Sequence, residues 1–296
     1  MTKLRGYVYA AIGIFGFSAT FIGIALASDG FSPTIVAIGR IIPAGIGAII
    51  ALKLGGQPIL PPRDTWSQIW MVALGLIFGF PIFSTLAMQT VPAAEAGVLV
   101  ALGPVLSAVI AISIFKHKKM APMFWVAAGA GTIAAMLFAY SRANGIGGGE
   151  LWGYGAMFIA MIFGQLGNVS AATMTARHKA FHVISWAIVI SIPIMLPLTI
   201  VELVIHPITQ MPSASAWVGF LWVSLYSIFI GHYFMANALN TIGIVKASQL
   251  QLLQPISTMV LAIIILKNHV SLITWLAAIA IVACVAWTQR INSARR

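Results

Sequence analysis

The chain predicts an all-helical membrane protein of ten transmembrane helices, built as two five-helix repeats of opposite topology with both termini cytoplasmic. Three observations carry that prediction. Of 296 residues, 60% are hydrophobic and only 7% charged, with a mean hydropathy of +1.01, whereas a soluble domain carries about 25% charged residues. The apolar residues fall into ten continuous runs near the length of about 20 residues that crosses a bilayer. The runs also repeat along the chain at a nearly constant offset. The same composition excludes a cytosolic enzyme, and it excludes disorder, which needs low hydrophobicity.

The first run, residues 6–27, follows Lys3 and Arg5, and Ala25-Leu26-Ala27 looks like a cleavage site. The stretch is too long for a signal-peptide core and has a counterpart in the second half, so it reads as helix 1. Asp29-Gly30 ends it. Helix 2 (33–52) stops at Gly55-Gly56-Gln57-Pro58, helix 3 (66–88) follows, and helix 4 (93–115) ends at the basic run 116–119. Helix 5 (122–140) leads to the glycine-rich segment 144–149, and helix 6 (151–175) to Arg177-His178-Lys179. Helix 7 (183–204) precedes a loop bounded by Pro207 and Pro212; helices 8 (216–239), 9 (245–266) and 10 (272–289) complete the set. Continuous rather than alternating apolar runs favour helices over a barrel.

The net charge of +11 reflects 16 Lys and Arg against 5 Asp and Glu. With the N-terminus inside, thirteen basic residues fall in cytoplasmic segments and two, Arg142 and Lys267, outside; Arg40 lies within a span. That bias sets orientation and gives no basic face for nucleic acid. The single Cys284 allows no disulfide and matches no metal spacing.

The repeat appears when Pro104 is placed on Pro255, an offset of 151 that also aligns Phe83 with Phe234, Leu99 with Leu250 and Lys116 with Lys267. Near helix 2 the offset is 150, pairing Pro43 with Pro193, and near helix 1 it is 148, pairing Phe15-Gly16 with Phe163-Gly164. The units are residues 1–146 and 147–296. An odd number of helices per unit inverts the second, a build common among secondary transporters, whose site lies between the halves.

Five-plus-five helices, Phe15-Gly16, Arg40 in helix 2, and the paired Leu102-Gly103-Pro104 and Leu253-Gln254-Pro255 resemble the drug/metabolite transporter superfamily, EamA type. Within it the chain is most similar to YddG-type aromatic amino-acid exporters. The resemblance implies a multi-pass protein of the bacterial inner membrane that exports amino acids, aromatic ones included, through a central cavity lined by all helices but 5 and 10. It departs from the family's pattern in two places. Lys116-His117 and Lys267-Asn268 stand where Gly-Glu is usual, and Gln254 stands where a Glu often precedes the second proline.

Polar groups within spans mark candidate sites. In helix 9, Ser248, Gln251, Gln254 and Thr258 share a face, opposite Gly97, Val100, Gly103 and Ser107 of helix 4. One reading is a cavity wall; the other is helix–helix adhesion through small residues and amide hydrogen bonds. Ser18 and Phe83, Phe163 and Asn168, and Tyr233 and Asn237 extend the candidate cavity over helices 1, 3, 6 and 8. Amides and hydroxyls suit the ends of a zwitterion and aromatic faces suit its side chain. Pro43, Pro104, Pro193 and Pro255 are candidate hinges, because each removes a backbone donor and frees a carbonyl four residues upstream. Arg40, Glu95 and His232 are the candidate charge or coupling groups. Arg40 either draws a carboxylate or pairs locally; Glu95 suits a helix N-terminus; His232 titrates near neutrality or simply accepts a hydrogen bond.

No phosphate loop, metal-ligand spacing or nucleophile elbow appears in the sequence. The expectation is therefore a non-enzymatic, alternating-access exporter of amino acids with broad specificity, aromatic and other neutral ones included, needing neither ATP nor a cofactor. Its partners are the lipid bilayer and a small-molecule substrate, with a monomer expected. Another metabolite or an amphipathic drug on the same fold is the alternative cargo.

Overall fold

The computed structural model of the chain describes residues 2–115, 122–145, 151–175, 177–242 and 250–293. Helices account for nearly all of them, and no strand occurs among the described residues. The segments are α1 (Leu4–Ser28), α2 (Ile35–Leu54), α3 (Arg63–Ala87), and α4, a pair of helices (Ala93–Val100 and Gly103–Ser113) bent by 45°. They continue with α5 (Pro122–Gly145), α6 (Leu151–Met174) and α7 (Ala180–Ile205). In α8, the stretches Ala214–Leu221, Trp222–Ile230 and Gly231–Ile242 run end to end. Last come α9 (Gln254–Leu266) and α10 (Leu272–Ser293).

Seven of these are long and apolar enough to cross a membrane, eight if the bent pair counts as one span. The apolar parts of α9 and α10 are shorter. The expected start of helix 9, with Ser248 and Lys246, lies outside the described residues.

The breaks have a common cause. Pro104 and Pro255 each sit at the second position of a helix, just after a two-residue turn, Ala101-Leu102 in one case and Leu252-Leu253 in the other. Proline has no N–H to give and its ring clashes with the carbonyl four residues back, which favours a kink or a restart, and here the helix restarts. The wide-turn π-helical stretches follow related logic. Ile35–Gly39 in α2 and Ala73–Gly79 in α3 each end shortly before a proline, Pro43 and Pro81. A third, Trp222–Ile230 in α8, ends at Gly231. Pro193 and Pro197, by contrast, are carried within the continuous α7.

Helix ends are closed locally. Ser213 accepts from the Ala216 amide at 3.2 Å, an N-cap bond that satisfies a donor the first turn leaves free. Lys267 turns left-handed after α9 with φ of 54°, and the Asn268 amide returns to the Ala262 carbonyl at 3.2 Å, which satisfies one of the carbonyls the helix end leaves free.

Each helix takes its main partner from the other half of the chain: α1 packs on α8, α3 on α6, α2 on α7, α4 on α9 and α5 on α10. In lipid such contacts come from close approach rather than from the hydrophobic effect, and glycines supply it. A Cβ on Gly219 of α8 would lie 2.5 Å from the Gly23 carbonyl of α1, and one on Gly16 2.6 Å from the Tyr226 ring. Across the α3–α6 seam, a Cβ on Gly167 would meet Leu76 at 2.6 Å, and one on Gly75 would fall on the Gly167 backbone. A large apolar core spreads over α1, α4, α5, α6, α8, α9 and α10; a second, holding Trp186 and Ile188, joins α2, α3, α7 and α8.

Candidate functional site

Three polar contacts form where the proline-broken helices meet their neighbours. At the start of α9, the Ser18 hydroxyl of α1 donates to the Gln254 carbonyl at 3.3 Å. The Thr258 hydroxyl donates to the Ser18 carbonyl at 3.1 Å. Thr258 also seats against Gly97 of α4, where a Cβ would lie 2.6 Å from its methyl, so the polar face of α9 and the small face of α4 are in direct contact here. In α4, the Ser107 hydroxyl donates to Gln165 Oε1 of α6 at 2.6 Å, and Gly103 leaves room for the same amide. Ser107 and Thr258 are 151 residues apart, so the two hydroxyls stand in equivalent places after their breaks. Beside Gln165, Phe163 stacks on Phe83 with centroids 5.7 Å apart and planes 7° off parallel. Phe83, Phe163, Gln165 and Gln254 are all half-buried.

The other candidates disperse. Tyr233 is 45% exposed, its ring edge-on to Phe181 and Phe234. Asn237 donates its amide to the Tyr233 carbonyl at 2.8 Å, within its own helix. Asn168 is on the exposed side of α6, Gln251 is half-buried, and Ser248 lies outside the described residues. His232 Nδ1 lies 3.2 Å from the Ser227 carbonyl, with its ring edge-on to Phe17 at 4.8 Å. Pro104 and Pro255 mark breaks, Pro43 is half-buried in the first turn after the α2 π-helical stretch, and Pro193 is exposed on α7. A second aromatic group pairs Trp222 with Tyr226, stacked at 4.1 Å, and sets Phe15 edge-on to Trp222.

The charges sort differently from the hydroxyls and amides. Glu95, 4% exposed, accepts from Arg142 Nε at 2.8 Å and Nη2 at 2.7 Å, and Tyr154 donates its hydroxyl to the other carboxylate oxygen. This ties α4, α5 and α6 together. Arg40, 5% exposed, borders a cavity between α2, α3, α7 and α8 and makes no ion pair or side-chain hydrogen bond with any described residue.

A helical bundle with polar pairs at proline breaks is a transporter's layout, and comparison with known proteins agrees. The model of the EamA-like transporter family matches residues 4–140 and again residues 151–289. The chain belongs to the EamA-like transporter family. It is therefore a multi-pass membrane protein of the drug/metabolite transporter superfamily and serves transport. It is 32% identical over 286 residues to a Bacillus subtilis (strain 168) protein described as the uncharacterized transporter YdeK, covering 97% of both chains. A solved crystal structure matches with a TM-score of 0.64 over 96% of this chain and 95% of that one, at 18% identity, a likeness of fold.

For this EamA-like protein, sequence reasoning missed the Glu95–Arg142–Tyr154 cluster. A signal was present: Arg142 is one of two basic residues on the face that the charge bias leaves nearly bare. It also missed Gln165 and Ser107 as a bonded pair, because their 58-residue separation follows no helical period.

Proposed function

We propose that this EamA-like protein exports small zwitterions, neutral and aromatic amino acids among them, from the bacterial cytoplasm by alternating access between two inverted five-helix repeats. One observation carries the reading: the contacts map onto themselves when the halves are exchanged. α1 on α8 becomes α6 on α3, α2–α7, α4–α9 and α5–α10 each become themselves, and the break before Pro104 becomes the break before Pro255. The double family match adds support. With five crossings per half the exchange axis lies in the membrane plane, so rocking one half against the other opens the centre to each face in turn.

The amide, hydroxyl and stacked rings of Ser107, Gln165, Phe83 and Phe163 supply donors, acceptors and an aromatic face for the cargo. The test is counterflow of labelled phenylalanine in proteoliposomes against a panel of unlabelled amino acids. Saturable exchange that several neutral amino acids suppress is expected. Flux that never saturates indicates a channel, and suppression only by amphipathic cations indicates a drug carrier; either result overturns the proposal.

A further inference from the structure

Among the described residues, Arg40 is a buried charge with no ion pair. It is the sixth residue of α2 and closes the π-helical stretch Ile35–Gly39. At 5% exposure it does not snorkel to the membrane surface. The other residues that line the cavity it borders, Ile77, Ile188, Met195 and Ile228 among them, all have apolar side chains. Among the described acids, Glu95 is taken by Arg142, Glu202 binds Ser32 and His206, and Asp29 and Asp64 are exposed.

A lone guanidinium in such a setting costs several kcal/mol unless an anion joins it. The location is not incidental. The three π-helical stretches of the described chain all reach this cavity, through Ala37 and Ile38, Ile77, and Ile228, and such stretches concentrate at functional sites. Two pairs of repeat-equivalent residues line it as well: Ile77 with Ile228 at the 151 offset and Ile38 with Ile188 at 150. The cavity thus sits where the two halves exchange, while Arg40 itself is answered by an apolar Ile190.

We infer that Arg40 is a binding site for one small oxyanion, the carboxylate of the transported solute. This rests on the zwitterion-export reading and assigns one end of its cargo. A carboxylate matches the planar guanidinium fork with two parallel hydrogen bonds. The cavity has about 10 Å³ of room for the centre of a water molecule, about one water. A carboxylate therefore enters only as α2, α3, α7 and α8 part, so that binding and opening are one event.

The test uses the full-length protein, with 3-phenylpropionate, 3-phenylpropionamide and chloride as probes. In detergent, thermal unfolding of the wild type is expected to rise with the carboxylate and stay unchanged with the amide. Arg40→Gln is expected to abolish that rise, and Arg40→Lys to keep part of it. In proteoliposomes, Arg40→Gln is expected to lower phenylalanine counterflow at least about tenfold, the worth of one hydrogen bond to a charged group. It also erases the preference for phenylalanine over its amide. Because the charge is uncompensated, Arg40→Met should raise the unfolding temperature while transport falls. An Arg40→Gln protein that elutes as a single species and keeps the carboxylate-specific rise would overturn the assignment, as would an equal rise with chloride alone. If no amino acid exchanges in the wild type yet the carboxylate rise persists and depends on Arg40, the anion site stands and the export of amino acids falls.

Discussion

Glu95 shows how one carboxylate survives at the edge of hydrocarbon. Its side chain is 5% exposed, and Arg142, 26% exposed, closes on it from the end of α5 while Tyr154 donates from the start of α6. Removing one partner leaves the other charge uncompensated, which costs about 3–5 kcal/mol when burial is complete. The half-wet Arg142 lowers that to about 1–3 kcal/mol here. A double-mutant cycle of Glu95→Gln and Arg142→Gln, read by unfolding in detergent, is expected to return a coupling energy in that range; additive single effects would show that the pair is mere proximity. The sequence showed Glu95 as a helix N-terminal acid and a candidate charge or coupling group, without a partner. Its partner was illegible because Arg142 is 47 residues away, and only the arrangement of α4 and α5 joins them.

Among the elements, the breaks were legible and the seams were not. Pro104 and Pro255 declare a restart through local covalent chemistry, and the turns at 101–102 and 252–253 follow. The glycines of α3 and α6 declare nothing alone, since a membrane helix carries glycine for several reasons. Their use appears once the helices meet. Gly75→Ala would drive a methyl onto the Gly167 backbone, so we expect a loss of about 1–3 kcal/mol from overpacking. A Cβ on Gly155 of α6 would meet nothing within 4 Å, so Gly155→Ala is expected to gain about 0.5–1 kcal/mol in helix preference. Denaturant unfolding in detergent compares the two, and the same sign for both would contradict the seam geometry. The polar face of α9 shows the limit of periodicity. Spacing put Thr258 and Gln254 on one face, yet only tertiary contact put Thr258 against Gly97 and brought Ser18 to Gln254.

At the scale of the whole molecule, the exchange of halves makes a topological prediction. In the proposed inverted repeat, five crossings per half would return the C-terminus to the face that holds the N-terminus. Cysteines placed by Leu4→Cys and, separately, Ser293→Cys in a Cys284→Ser background are expected to react with an impermeant maleimide only from the cytoplasmic side. Labelling of the two from opposite faces would remove the inverted repeat and, with it, the symmetric rocking.

The sequence by itself determined the membrane class and the apolar runs, and it marked the two prolines at which helices restart, because hydropathy and proline chemistry are properties of neighbouring residues. Tertiary structure alone decided which helix lies on which, that Arg142 neutralises Glu95, and that Arg40 is left with no counter-ion among the described residues. Those outcomes depend on distances between residues far apart in the chain, and in lipid such distances are set by glycine-scale shape at the seams, which no local pattern encodes.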